Sequence, residues 1–199
     1  MTEPAPSPSG RGPSAQAARD RVLAQFRWHD GHADVWRLFS DASTLALIVD
    51  GLAEPWLGAG VTRVIGIESR GFLLGGATAV RLEAGFHAIR KPGGLLPGPT
   101  TTVRSSADYR GHEQDLRTQA TLGPEDVVLL VDDWAERGSQ ARAARDLVEG
   151  CGARFIGASL VVDQLADDRV RQGLVRVTSL VHARELGDPD GGSDRGSGR

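Results

Sequence analysis

Residues 127–148, VVLLVDDWAERGSQARAARDLV, constrain the fold more than any other stretch of the chain. An apolar run over 127–131 stops at Asp132 and Asp133. A short loop follows with Gly138, and apolar residues then recur at Ala141, Ala144, Leu147 and Val148. The first pattern is a buried strand and the second an amphipathic helix. In an open α/β sheet, ligands bind at the carboxyl ends of the strands, and the unpaired N–H groups opening the next helix attract anions. Carboxylates at such a strand end can accept hydrogen bonds from vicinal ribose hydroxyls or from metal-bound water. The amides of residues 137–140 can hold a phosphate. The plainer reading is that Asp132 and Asp133 cap the helix or are simply solvated.

Composition narrows the classes. With 199 residues, 40% hydrophobic and 25% charged, the chain has the make-up of one soluble domain with a sizeable core. A net charge of −3 and a pI near 5.9 give no overall basic field, so neither nucleic acid nor an anionic membrane is expected as a partner. Cys151 is the only cysteine, which excludes an intramolecular disulfide and a cysteine-cluster metal site. It is expected to pack or to sit near the surface just after the helix. His29, His32, His87, His112 and His182 lack the spacing of a zinc site. No stretch reaches the roughly 18 apolar residues of a membrane span, and the expected location is cytoplasmic.

Residues 1–14 and 187–199 are rich in Pro, Ser, Gly and Asp and offer little apolar surface, so disordered tails are expected around one domain spanning 15–186. A helix is predicted over 14–28. The segment RWHDGHADVW after it reads as irregular. A second helix is predicted from Asp41 as N-cap, with Leu45, Ile48, Val49 and Leu52 inward, ending at Pro55 and Gly58. Strands are predicted over 61–67, 86–90, 154–162 and 174–180. Between the first two, Glu68, Ser69, Arg70 and Gly71 form a second strand-to-helix junction. Residues 91–109 read as a long loop or flap, and loops of that length in compact domains are usually functional or disordered. The sum is an α/β domain with a largely parallel central sheet flanked by helices.

The stretch VIGIESRGFLLGGATAVRLEAGFHAIRKPGGLLPGPT over 64–100, together with the acid pair, resembles the purine type I phosphoribosyltransferases, most closely the adenine-specific branch. The resemblance covers about residues 29–180. It implies a homodimeric purine-salvage transferase that joins a nucleobase nitrogen to C1 of phosphoribosyl pyrophosphate and releases pyrophosphate, with Mg2+ bound to the donor. Glu68, Ser69 and Arg70 would then form the pyrophosphate loop, with a cis peptide before Ser69. Arg70 and Lys91 would supply cationic stabilisation, and Asp132 and Asp133 would face the ribose hydroxyls and hydrated metal. Glu136, Arg137, Gly138, Ser139 and Gln140 would surround the 5′-phosphate. Asp108, which falls where the family's flexible loop carries a glutamate, would handle the acid–base step.

The chain departs from the family pattern in several places. Where the family reads alanine-threonine-glycine-glycine-threonine, this sequence has Glu136-Arg137-Gly138-Ser139-Gln140, without either threonine hydroxyl and with an added negative charge. Gly94 stands near the family's second flap lysine. The base-covering segment is matched only by His32-Ala33-Asp34, flanked by Trp28 and Trp36. Trp134 reads as packing or pocket wall, because indole has one donor and no useful acid–base range. Two alternatives stay open at the level of sequence. One is a non-catalytic module that binds a nucleotide or sugar phosphate, and the other is a transferase with a different donor or heterocyclic acceptor.

Overall fold

The computed structural model describes residues 11–104 and 115–187. Residues 1–10 and 188–199, which make up most of the expected tails, lie outside the described residues. Helix α1 (Pro13–Gln25) begins inside the stretch expected as a tail. Its opening turn is held from a distance, since the Glu54 carboxylate accepts hydrogen bonds from the Ser14 and Ala15 amides at 3.1 and 2.8 Å. The segment expected to be irregular forms a small hairpin, β1 (Trp28–His29) and β2 (His32–Ala33), around Asp30-Gly31. Both turn residues have positive φ, the signature of a two-residue hairpin turn. Helices α2 (Trp36–Ser40) and α3 (Ala42–Ala53) follow. Asp41 caps α3 as expected: its side chain accepts from the Thr44 amide, and hydrogen bonds from Ser43 and Thr44 hold its carboxyl down at about 2.

Next come β3 (Arg63–Ile67), α4 (Arg70–Arg81) and β4 (Gly85–Ile89), then β7 (Val127–Ala135), α5 (Ser139–Gly150), β8 (Arg154–Asp163), the short α6 (Asp168–Gly173) and β9 (Val177–His182). The strands form a five-stranded sheet in the order β4-β3-β7-β8-β9, with every neighbouring pair parallel. Its inner strands β3, β7 and β8 carry long apolar runs because both faces are covered. Ile65, Val128, Leu130 and Leu160 pack with Ala141, Ala144 and Leu147 of α5. Val64, Leu129, Val131 and Val161 pack with α1, α3 and α4 through Ala18, Val22, Ile48, Leu52 and Leu74.

One expectation is corrected. The flap contains a strand, β5 (Thr100–Arg104), which pairs antiparallel with β6 (Asp115–Gln119). The run Thr-Thr-Thr-Val is β-branched throughout, and its accessibility alternates along the strand, as a half-buried strand requires. The hairpin rests on α5, where the half-buried Cys151 thiol lies 3.7 Å from Thr101 Oγ1. Residues 105–114, which include Asp108 and His112, lie outside the described residues.

The distant cap on α1 is testable. Glu54→Ala leaves two helix-opening amides without an acceptor and is expected to lower stability by about 1 kcal/mol, as loss of a helix cap typically does. That corresponds to a fall in Tm of about 2–4 °C for a domain of this size, read by circular dichroism. An unchanged Tm would mean that water replaces the carboxylate without loss.

Candidate functional site

In this sheet β3 is flanked by β4 on one side and β7 on the other, so the chain reverses its direction of progression between β3 and β7. Such a switch point opens a crevice at the carboxyl ends of the strands. A cleft of about 360 Å³ lies there. Its lining includes Glu68, Ser69, Arg70, Lys91, Asp132, Asp133, Glu136, Arg137, Gly138, Ser139 and Gln140, so candidates widely spaced in the sequence share one space. Asp108 lies outside the described residues.

The β3–α4 turn contains a cis peptide between Glu68 and Ser69. Gly66 and Gly71 let the start of α4 lie hard against β3, because a Cβ on Gly66 would strike the Gly71 carbonyl. A Cβ on Gly71 would in turn come within 3.1 Å of Asp132 Oδ1, so the glycine keeps the helix start close to the acid pair. Glu68 has a bracing role. Its carboxylate accepts from Arg90 Nη2 at 2.8 Å and Nε at 3.2 Å, and from the Lys91 amide at 3.2 Å. The Arg90 hydrogen bonds hold the Glu68 carboxyl below its usual range and raise Arg90 in return. Arg90 also donates to the Leu95 carbonyl at 3.1 Å and fills the space where a Cβ on Gly94 would project. A lysine at position 94 would therefore displace Arg90. Sequence reasoning did not single out Arg90, although it stands beside Lys91 in the matched run.

The acid pair sits inside β7, which continues to Ala135, and so does not follow the strand as the apolar run implied. Pairing with β8 through Trp134↔Val162 and Ala135↔Asp163 carries the strand past the carboxylates. Asp133 is 5% exposed, and its Oδ2 lies 3.1 Å from Arg70 Nε. That buried oxygen has no well-formed hydrogen bond, so the Arg70 charge is what compensates it. Asp132 Oδ1 accepts from the Asp133 amide at 2.9 Å. Burial, and then the neighbouring Asp133 charge, push the Asp132 carboxyl well above its usual range, with Arg70 opposing. Two adjacent carboxylates against one arginine leave a surplus of negative charge, which suits hydroxyl donors and a hard cation. Among the described residues, no group of three or more His, Cys, Asp and Glu side chains converges to hold a metal unaided.

Beyond the acids, exposed Glu136 and Arg137 lead to Gly138, which is buried at φ +69° and opens α5. Trp134 forms part of the cleft wall and donates from its indole N–H to Gln164 Oε1 at 2.7 Å. Its ring meets Trp28 at 6.1 Å and Phe26 at 6.4 Å. Trp28 thus reaches the cleft through Trp134. Trp36, which is 55% exposed, packs on Phe39, and neither it nor His32, Ala33 or Asp34 lines the cleft. Buried His87 bonds the Gln119 carbonyl at 3.1 Å, and burial lowers its pKa, in line with the plain structural role. No helix among the described residues is long and apolar enough to cross a membrane.

No protein-family model matches the chain. Relatives in sequence decide the matter. An adenine phosphoribosyltransferase of Beijerinckia indica is 40% identical over 130 residues, covering 65% of this chain and 72% of the relative. That of Cereibacter sphaeroides is 39% identical over 165 residues, covering 82% and 90%. The chain belongs to the adenine phosphoribosyltransferase family. It is therefore a phosphoribosyltransferase, an enzyme of the glycosyltransferase type. The Giardia lamblia adenine phosphoribosyltransferase, solved with 9-deazaadenine, superposes with a TM-score of 0.75 at 29% identity, covering 83% of this chain and 97% of that one. The type I phosphoribosyltransferase fold expected from the sequence is thereby established.

The carboxylate pair of this phosphoribosyltransferase has a consequence for stability. Well below the ordinary carboxylate pKa of 3.8, Asp132 is protonated in both the folded and the unfolded chain. As pH rises, the unfolded chain gives up this proton first, so the contribution of Asp132 to stability is lost until pH passes the raised folded value. Asp132→Asn is expected to stabilise the protein by an amount that grows as pH rises above 4 in urea unfolding. A variant less stable than the wild type at pH 8 would contradict this.

Proposed function

We propose that this chain transfers the 5-phosphoribosyl group of phosphoribosyl pyrophosphate to adenine, releasing pyrophosphate. The observation that carries this reading is the convergence on one cleft of the 68–70 turn, Lys91, the acid pair and the start of α5, in a chain of this family. In the reaction the bond from C1 of the ribose to pyrophosphate breaks and a bond from C1 to a purine nitrogen forms, through an oxocarbenium-like transition state. The protein's task is to hold the reactants in line and to stabilise the departing anion.

The geometry of the described residues supports the following roles. Arg70, oriented by Asp133, and Lys91, whose amide is held by Glu68, face the pyrophosphate. Asp132 and Asp133 accept the ribose hydroxyls. The amides of Gly138, Ser139 and Gln140 at the start of α5 receive the 5′-phosphate, with Arg137 offsetting Glu136. Asp108 serves as acid–base at the purine. Mg2+ fits the acid pair, since the donors are hard oxygens and a dication offsets the Asp133 charge that, after burial, raises Asp132. Asp132 and Asp133 would hold the hydration water of an Mg2+ ion, which when bound would supply positive charge beside the pyrophosphate.

The same reading places the enzyme in the cytoplasm as a homodimer. Support for the dimer is an apolar strip made of Leu73 and Val80, seven residues apart on α4, and Phe86 on edge strand β4, exposed by 39%, 79% and 38%. Val80→Asp is expected to shift the molar mass measured by light scattering from dimer to monomer. A wild-type monomer would remove this part of the reading.

Steady-state pyrophosphate release tests the activity. It is expected to require adenine and phosphoribosyl pyrophosphate, to stop on chelation and to return with Mg2+. The Asp132→Asn/Asp133→Asn pair is expected to lose donor binding in calorimetry by at least 100-fold while still folding. Tight donor binding without turnover by the wild type would instead favour the non-catalytic alternative, which the added carboxylate of Glu136 keeps specific.

A further inference from the structure

Gly138 has no room for a side chain. A Cβ there would come within 2.5 Å of Val170 Cγ1 and 2.8 Å of Leu165 Cδ2. These two buried side chains therefore press on the backbone that opens α5 from the side away from the cleft, and no side chain caps that helix. The loop lacks the threonines of the family pattern, so its shape is set by what stands behind it.

The backing segment is tied down at both ends by one carboxylate. Asp163, 2% exposed at the end of β8, accepts from the Leu165 amide through Oδ1 at 2.9 Å. Its Oδ2 lies 2.8 Å from Arg171 Nη2, next in sequence to Val170, and Arg171 also donates to the Leu165 carbonyl at 3.3 Å. The same Oδ2 has no well-formed hydrogen bond, so its burial depends on the Arg171 charge, with His182 Nδ1 at 3.6 Å as a more distant neighbour. Gln164 completes the link, its amide donating to the Ala135 carbonyl at 2.9 Å and its side chain accepting from Trp134.

We propose that Asp163 and Arg171 are positioning residues for the phosphate-binding loop, acting through Leu165 and Val170 on Gly138. The inference rests on the donor-site reading given above for residues 136–140. Neither side chain lines the cleft, so neither is a catalytic residue. The fold uses the Asp163–Arg171 pair to fix, from behind, the direction in which the α5 amides point.

The test has two independent readouts on the full chain. Hydrogen–deuterium exchange is expected to be at least tenfold faster for amides within 138–142 in Asp163→Asn than in the wild type, with exchange in β3 and α4 unchanged. Steady-state kinetics are expected to show a KM for phosphoribosyl pyrophosphate raised about tenfold, a KM for adenine within twofold, and partial recovery in Asp163→Glu. If Asp163→Asn does not fold, Arg171→Met, altered at a half-exposed side chain, is expected to give the same pattern. Unchanged exchange in the loop, or equal changes in both KM values, would overturn the proposal. Faster exchange in a protein with no turnover of the donor would uphold the brace and overturn the donor-site reading instead.

Discussion

Parallel pairing of β3 with β7 is the constraint from which the site follows. Register Ile65↔Leu130 brings the ends of two strands far apart in sequence to the same level, so the 68–70 turn and the acid pair meet across a few ångströms. Neither strand end can do this alone. Buried Asp133 needs the Arg70 charge, and Arg70 takes up its place because Gly66 and Gly71 permit α4 to start against the sheet. The electrostatics of the cleft are thus a by-product of main-chain packing. Asp132 carries the remaining tension, as a carboxyl whose burial and neighbour both resist its ionisation. Such a group is poorly suited to an empty cleft and well suited to one that receives hydroxyls and a cation.

Around this centre, side chains outside the acid pair brace the cleft. Arg90, locked to Glu68 and the Leu95 carbonyl, stands where a side chain at Gly94 would need to go, and Arg117 donates to the Gly94 carbonyl at 2.5 Å. The root of the flap is thereby held by two arginines. On the opposite wall, Trp134 takes its place in an aromatic cluster with Trp28 and Phe26. The edge-to-face contacts of Trp28 with Phe26 and Trp134 fix ring orientation more sharply than aliphatic packing does.

Much of this was legible in the residues, and the limits have physical causes. The β7–α5 unit could be read because a strand covered on both faces is apolar at every position and its helix is amphipathic. The cleft residues could be read because the matched run preserves their order. The prolines and glycines over 92–99 mask the β-branched run of β5 that follows them, and the largely polar DLRTQ of β6 carries little strand signal by itself. The β1–β2 hairpin carried a signal in Asp30-Gly31 that was overlooked beside its polar neighbours. The extension of β7 through Asp132 and Asp133 could not be seen, since pairing with β8 overrides the low strand propensity of aspartate. Asp163 was invisible for a related reason: its importance lies in Leu165, Arg171 and Gly138, contacts that only the fold supplies.

The aromatic wall also links distant parts of the chain. The Trp28 indole N–H donates to the Leu186 carbonyl at 3.0 Å, and Arg19 of α1 pairs with Glu185 at 2.5 Å. The segment carrying Phe26 and Trp28 is therefore anchored by residues that leave the ribosome some 160 positions later. A nascent chain can form the 68–70 turn before that point, and the α5 loop once residues 165–171 that back it have been made. Its aromatic wall receives its last fastening only when synthesis has passed residue 186, so the cleft is completed late and from its two most distant described segments.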